Sequence, residues 1–340
     1  MQNIRPPSRF PSRFQETIKG GESELATNLG HAGLIRDWLG FEKQNGASDN
    51  TINAYQIGIN IFTDYLEDNA LETGTVRPKD VLGFKSKLSE SYSPQTINLR
   101  LSAVRSFYRF MVINGYLPFS PAQIVKGAKR SSSTHHKRDQ LTNAEVHALF
   151  ETCQDNELGI RDRAILTLML YCALRKVELH RADIEDLTTK QGRLVLWVQG
   201  KGRLEKDEFV VIPANQEQVI NTWLNVRPGD KSEALFTSLS IKSKGERLAL
   251  RSLTETIKDR MIEAGIMLDP MLKPKKDKYK HSRKSVHSLR HTAITNALQN
   301  GATPLQVQQM ARHSSFDTTL NYHHSSDRLL APAELLINYD

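Results

Sequence analysis

The sequence predicts a mainly α-helical protein with a small β-sheet, divided between an all-helical domain and a second domain of α+β type. Three observations lead there. From His31 to Gly127 the apolar residues recur at helical steps. A stretch of low apolar content follows, rich in Pro, Ser and basic residues. The clearest β pattern, Leu194–Val198 and Phe209–Ile212, lies beyond it with helical patterns on both sides.

Taken in order, residues 1–30 lack helical periodicity and contain Pro6, Pro7 and Pro11, which predicts a flexible arm. Its three arginines suit either a DNA contact or a plain disordered tail. The helical domain spans 31–127. Leu34, Ile35, Trp38 and Leu39 mark a first helix, ended by the break at 46–50. A second starts near Thr51 with Ile52, Tyr55, Ile59, Phe62 and Leu66 on one face. A third follows Pro78 and carries Val81, Leu82 and Leu88. Ser93-Pro94 opens a fourth in cap-then-proline order, and Asn114-Gly115 closes it. Its stripe is Ile97, Leu101, Val104, Tyr108 and Met111, with Arg105 and Arg109 on another face. From Pro118 the apolar content drops, and residues 128–140 read as a mobile linker. His135-His136 has no further Cys or His at ligand spacing and is not read as a metal site.

The second domain, 141–340, opens on a capping box, Thr142 with Glu145. An apolar helix is expected from Ala164 to Leu174, then a hairpin whose strands flank Gly200-Lys201-Gly202. Helices return beyond Leu250, one of them from Ser288 through Leu298 and closed by Gly301.

Composition narrows the function classes. No apolar run approaches the roughly 18 residues of a membrane span, and residues 1–30 carry no secretory apolar core. Cys153 and Cys172 are too few for a disulfide framework, which suits a cytoplasmic protein. Lys and Arg number 46 against 38 Asp and Glu, a net charge of +8. Residues 271–290 concentrate this charge, with eight basic side chains against Asp277 alone. Such a field attracts a polyanion. No phosphate-cradling glycine loop, zinc spacing or internal repeat is present.

That basic run leads into His287-Ser288-Leu289-Arg290-His291, followed by Arg312-His313-Ser314-Ser315 and Asn321-Tyr322-His323-His324. Upstream, Cys172-Ala173-Leu174-Arg175 supplies another arginine. Two imidazoles, two guanidinium groups and a phenol are the parts needed to hold a phosphate diester and attack it. Attack builds negative charge on the non-bridging oxygens, so positioned positive donors carry most of the catalysis. Arginine fits because its planar fork binds two oxygens and keeps its charge.

The order Arg175, His287-x-x-Arg290, His313, then Tyr322 nine residues later resembles the tyrosine recombinase (phage integrase) family, closest to its Xer-like members. The resemblance spans residues 31 to 330. It implies a SAM-like core-binding domain at 31–127 and a tyrosine-recombinase catalytic domain at 141–340. By this resemblance Arg175 and Arg290 clamp the phosphate, His313 donates to it, and His287 exchanges the tyrosine proton. Tyr322 is the nucleophile, and covalent capture of the phosphate conserves the bond energy without a nucleotide cofactor. A hairpin lysine is the family's general acid, and Lys201 matches its place. Pro213 follows Lys201 by twelve residues, so the turn looks enlarged and Lys206 or Arg203 stand as alternatives. Glu178 fits an acid anchoring the helix of Arg175. Arg312 stands where the family usually has a small residue, commonly glycine, and suits either an added phosphate contact or crowding of the backbone. His324 matches a family histidine, whereas His291 has no assigned role. The tail 331–337 packs on its own domain or on a neighbouring protomer.

The expected activity is site-specific DNA recombination through a 3′-phosphotyrosyl intermediate on Tyr322. Integration, excision and resolution are its forms. The expected partners are double-stranded DNA and further copies of the chain, as a tetramer on two duplexes, with accessory proteins left open. No metal, ATP or membrane is expected, and the expected location is cytoplasmic, with the nucleoid when bound to DNA. A type IB topoisomerase would use similar chemistry without pairing sites. A non-catalytic DNA-binding protein would have a broken Arg-His-Arg-His-Tyr set. A metal nuclease would need a carboxylate cluster that the motif lacks.

Overall fold

The computed structural model describes residues 31–129, 140–200, 203, 205–229, 233–267, 284–313 and 315–320. The arm 1–30, most of the linker, Lys201, most of the basic run, Tyr322, His324 and the tail lie outside the described residues. The chain separates into two compact units, at residues 1–132 and 133–340.

Among the described residues the first unit has four α-helices: α1 (His31–Gln44), α2 (Asp49–Asp68), α3 (Pro78–Ser89) and α4 (Pro94–Ile113). Ser48 caps α2 by accepting from the Thr51 amide at 3.3 Å, so this helix begins two residues before the sequence expectation. Ser93 and Pro94 open α4, while Asn114 ends it and Gly115 takes φ +75°, as the pattern predicts. The whole predicted stripe of α4 is buried. Trp38 is fully buried, stacked on Tyr55 at 5.4 Å and edge-on to Phe107 at 5.5 Å. A Cβ on Gly58 would lie 2.7 Å from that of Ala103, so a glycine there lets α2 approach α4 closely. The two arginines off the core face have intramolecular partners. Arg105 donates to the Val125 carbonyl at 2.6 Å, and Arg109 reaches Glu42 at 3.5 Å.

The second unit opens with α5 (Asn143–Glu151), capped reciprocally by Thr142 and Glu145 as expected. Next come α6 (Glu157–Tyr171) and the short α7 (Lys176–Arg181). The apolar run had suggested a helix from Ala164 to Leu174. It begins earlier because the Asn156 side chain accepts from the Gly159 amide, and ends earlier because Ala173 turns to φ 51°.

A three-stranded antiparallel meander follows: β1 (Leu187–Lys190), β2 (Arg193–Val198) and β3 (Glu208–Val211). Pairing of Lys190 with Arg193 leaves Gln191-Gly192 as a two-residue turn with both φ angles positive. Pairing of Val198 with Glu208 sets residues 199–207 as the longer β2–β3 connection. The sheet is followed by α8 (Ala214–Val226), α9 (Leu250–Glu263), α10 (Val286–Gln299), α11 (Pro304–Ala311) and α12 (Phe316–Leu320). The inner face of the sheet, through Leu196, Val198 and Val210, joins a core with α6, α8 and α9. Among the described residues no helix is long and apolar enough to cross a membrane.

Candidate active site

Arg175 sits at the N-cap of α7, at the end of the turn made by Ala173. Three residues on, Glu178 folds back in a capping arrangement: one oxygen accepts from the Arg175 amide and the other from its guanidinium, both at 2.7 Å. The sequence expectation of an acid anchoring the helix of Arg175 corresponds to this contact. The Glu178 carboxylate is fully buried. Burial pushes its pKa up, but the charge and hydrogen bonds of Arg312 and the bonds from Arg175 outweigh this and hold it below the usual range.

Arg290 is on the first turns of α10 and is 1% exposed. Its two terminal nitrogens donate to the carbonyls of Ala173 and Ala311. One guanidinium thus ties the turn before Arg175 to the end of α11, next to Arg312 and His313. A small apolar cluster of Ala173, Ala293, Ile294, Val307 and Ala311 surrounds the join. The start of α10 is fixed separately. The Ser288 hydroxyl accepts from the Ser285 amide at 3.0 Å, and Thr292 accepts from the Leu141 amide at 2.8 Å. Lys284, inside the predicted basic run, pairs with Glu145.

Arg312 leaves α11 in the left-handed region at φ 52°, ψ 52°, which costs an L-residue about 1 kcal/mol relative to glycine. The side chain turns inward and is 2% exposed, with Nη2 on Glu178 at 2.7 Å and Nη1 on the Met310 carbonyl at 2.6 Å. The sequence left a choice between an added phosphate contact and a crowded backbone. The actual arrangement is a buried ion pair with an acid 134 residues away.

His313 follows directly. Its Nδ1 lies 2.9 Å from Oγ1 of Thr319 on α12, a hydroxyl that is itself buried. Partial burial lowers its pKa, and the charges of Arg290, Arg175, Arg312 and His287 lower it further, to about 4. His287 is exposed on the first turn of α10. His291 is buried one turn on, with Nδ1 3.2 Å from the Thr295 hydroxyl.

The depressed pKa has a consequence for the free protein. The native state binds fewer protons than the unfolded chain between pH 6.5 and 4, so stability is lost as pH falls through that window. Since the ring is half-exposed, the expected loss is on the order of 1–2 kcal/mol. Denaturant unfolding at successive pH values should show this slope in the wild type and a shallower one in His313→Gln. Equal slopes would mean that the ring titrates normally.

The structure brings Arg175, His287, Arg290 and His313 into one electrostatic neighbourhood from three separated segments. Lys201 and Tyr322 lie outside the described residues. Of the alternatives to Lys201, Lys206 is bound between Asp183 at 2.7 Å and Asp186 at 2.6 Å. Burial lowers its pKa, but the two carboxylates raise it more. Arg203 pairs with Asp207 and with Glu208 at 2.9 Å. Two partners escaped the sequence reading. Thr319 carries no signal beyond its place six residues after His313. Arg312 was visible, but its acid could not be identified.

Residues 139–328 match the phage integrase family, and residues 37–115 match the phage integrase N-terminal SAM-like domain. The chain is 26% identical over 301 residues to tyrosine recombinase XerD of Oceanobacillus iheyensis, covering 85% of this chain and 93% of the relative. It is 29% identical over 299 residues to tyrosine recombinase XerC of Pelobacter propionicus, covering 86% and 90%. Among solved structures, the XerH site-specific recombinase bound to a palindromic difH substrate, in a post-cleavage complex, has the same fold. Its TM-score is 0.65 at 20% identity, over 84% of this chain and 78% of that one. A lambda integrase dimer bound to a COC′ core site gives 0.63 at 13% identity, over 85% and 96%. By these matches, and with its helical unit followed by an α+β unit, the chain belongs to the phage integrase family and is a Xer-like tyrosine recombinase.

Proposed function

We propose that the protein cleaves and rejoins double-stranded DNA at specific sites, through a 3′-phosphotyrosyl intermediate on Tyr322, and exchanges strands between two duplexes as a tetramer. The observation that carries this reading is the convergence of Arg175, Arg290 and His313, with His287 close enough to affect the His313 titration. Burial does most to lower the His313 pKa, and the guanidinium groups of Arg290, Arg175 and Arg312 lower it further, so the ring lies in a positive field suited to an anion. Relatives named as tyrosine recombinases, and solved recombinases bound to DNA, support the same substrate.

In this reading Arg175 and Arg290 hold the non-bridging oxygens as charge builds there. His313 is neutral before DNA binds. We assign the Thr319 hydroxyl as donor to Nδ1, 2.9 Å away, so that the ring keeps its proton on Nε2 and presents that N–H to the phosphate. His287 accepts the proton of Tyr322, whose phenol is otherwise protonated at neutral pH. The helical domain 31–127 and the catalytic domain 141–340, joined by the linker 128–140, each bind the duplex. The enzyme acts in the cytoplasm, on nucleoid DNA.

Lys201 is the general acid for the leaving 5′-oxygen. Lys206 is committed to Asp183 and Asp186, where it fastens the far end of the β2–β3 connection. Lys201→Ala should therefore lose about 10²–10³-fold in cleavage rate, and a substrate with a 5′-bridging sulfur should recover it, because a thiolate leaves without a proton. Lys206→Ala should lose no more than about tenfold and show no such recovery. Sulfur rescue of Lys206→Ala alone would reverse the assignment.

The test of the overall reading is covalent trapping. Nicked duplexes from the DNA flanking the gene are incubated with protein and separated on a denaturing gel. A 3′-linked adduct on one segment, followed by strand exchange between two copies of that segment, is the expected result. Relaxation of any supercoiled plasmid without exchange would instead indicate a topoisomerase.

A further inference from the structure

We propose that Arg312 is a positioning residue for Arg175, acting through Glu178; the inference rests on the reading of Arg175 as a phosphate clamp. Four contacts carry it. Oε2 of Glu178 accepts from Nη2 of Arg312 and from the Arg175 amide, both at 2.7 Å. Oε1 accepts from the Arg175 guanidinium at 2.7 Å and from Nε of Arg312 at 3.4 Å. Arg312 also meets Arg175 directly, since its own carbonyl accepts from Nη2 of Arg175 at 3.4 Å. Both ends of Arg312 therefore bear on one guanidinium, the side chain through the acid and the backbone without it.

The position of Arg312 excludes the simpler alternatives. At 2% exposure its guanidinium meets a phosphate only by abandoning Glu178. Its left-handed backbone is the conformation that glycine adopts without strain, so the residue type is not dictated by the turn. What the arginine adds is charge against a carboxylate that is completely buried. That carboxylate faces Arg175 from the start of α7 and Arg312 from the turn after α11. His313 on the same turn and Arg290 from α10 stand beyond them, Arg290 sharing the Ala173 carbonyl with Arg312. With Arg312 gone, burial favours the protonated acid. A neutral carboxyl gives up its charge-assisted hold on Arg175, and the clamp loses its orientation.

The experiment compares single-turnover cleavage of a trapped site from pH 6 to 9 for wild type, Arg312→Gly, Arg312→Lys and the double variant Arg312→Gly/Glu178→Gln, with DNA affinity measured in parallel. Arg312→Gly removes the backbone strain along with the charge, and its melting temperature is recorded to confirm folding. Expected is site affinity within about threefold of wild type, cleavage reduced at least about tenfold at pH 6.5, and recovery toward pH 9. Arg312→Lys should restore part of the loss at low pH. The double variant should be slow at every pH, because its acid has no charge to titrate. Wild-type cleavage by Arg312→Gly across the range, or a loss equal at every pH, overturns the proposal. Arg175→Ala separates this from failure of the underlying reading. If that variant also cleaves normally, the clamp itself is wrong. If it is inactive while Arg312→Gly is normal, only the positioning role is lost.

Discussion

Replacing Tyr322 with phenylalanine should abolish the covalent adduct, a loss of at least about 10⁴-fold in cleavage, while leaving affinity for the site within about twofold. The change removes one oxygen, and with it the atom proposed to form the new bond to phosphorus. The charge presented to DNA is unaltered, because phosphate contacts are made by guanidinium and ammonium groups. Among the described residues, Tyr108 and Tyr55 are poor substitutes. Tyr108 is buried in the first unit with its hydroxyl donating to the Thr73 carbonyl, and burial pushes its pKa far up. Tyr55 is stacked on Trp38 in the same unit. An adduct that persists in Tyr322→Phe would assign the nucleophile elsewhere, and peptide mapping of the linked residue would find it.

The second large effect is expected for Arg290→Lys, and it should differ in kind from Arg175→Lys. Lysine keeps the charge but has no planar fork. At position 290 the two carbonyls of Ala173 and Ala311 lose their donors inside a dry cluster, so the variant should lose about 2–4 kcal/mol of stability. The same change draws apart the segments that carry Arg175 and His313. Cleavage should fall by about 10²–10³-fold. Arg175 is partly exposed, at 22% of its side chain. Arg175→Lys should therefore cleave as slowly yet unfold within about 1 kcal/mol of wild type. Thermal unfolding beside single-turnover cleavage makes the comparison. Equal stability losses at the two positions would show that Arg290 has no tying role beyond the clamp it shares with Arg175.

Much of this was legible in the sequence, for reasons that individual residues make plain. The fourth helix could be read nearly to the residue, because its stripe, cap and terminator agree. Arg175, His287, Arg290 and His313 could be named because chemistry for a phosphate diester restricts residue types and the family pattern restricts their order. The first strand could not be seen. Leu187-Thr188-Thr189-Lys190 has one apolar residue, and a Gln-Gly turn is a weak hairpin signal. The start of α6 was hidden by a cap of one asparagine, and α8 was not anticipated at all. Partners of charged groups were the least accessible. Glu178 near Arg175 is a local relation, but Arg312 reaching the same carboxylate is a tertiary one across 134 residues. Nothing along the chain distinguishes Asp183 and Asp186 from other acids until Lys206 is seen between them.

The hydrogen bonds that assemble the site span long loops. Arg290 meets Ala173 across 117 residues, Arg175 meets the Arg312 carbonyl across 137, and the Leu141 amide meets Thr292 across 151. Loop closure of this length is entropically costly and slow compared with forming any single helix. During synthesis, therefore, α5 to α9 can fold on the ribosome while the site is still in separate pieces. The phosphate-holding arrangement closes after the segment from 284 to 319 has emerged and docked. A chain interrupted before that point retains most of its core-forming residues and none of its ability to break a strand. The order of the chain thus puts the assembly of the site last, after the core that supports it.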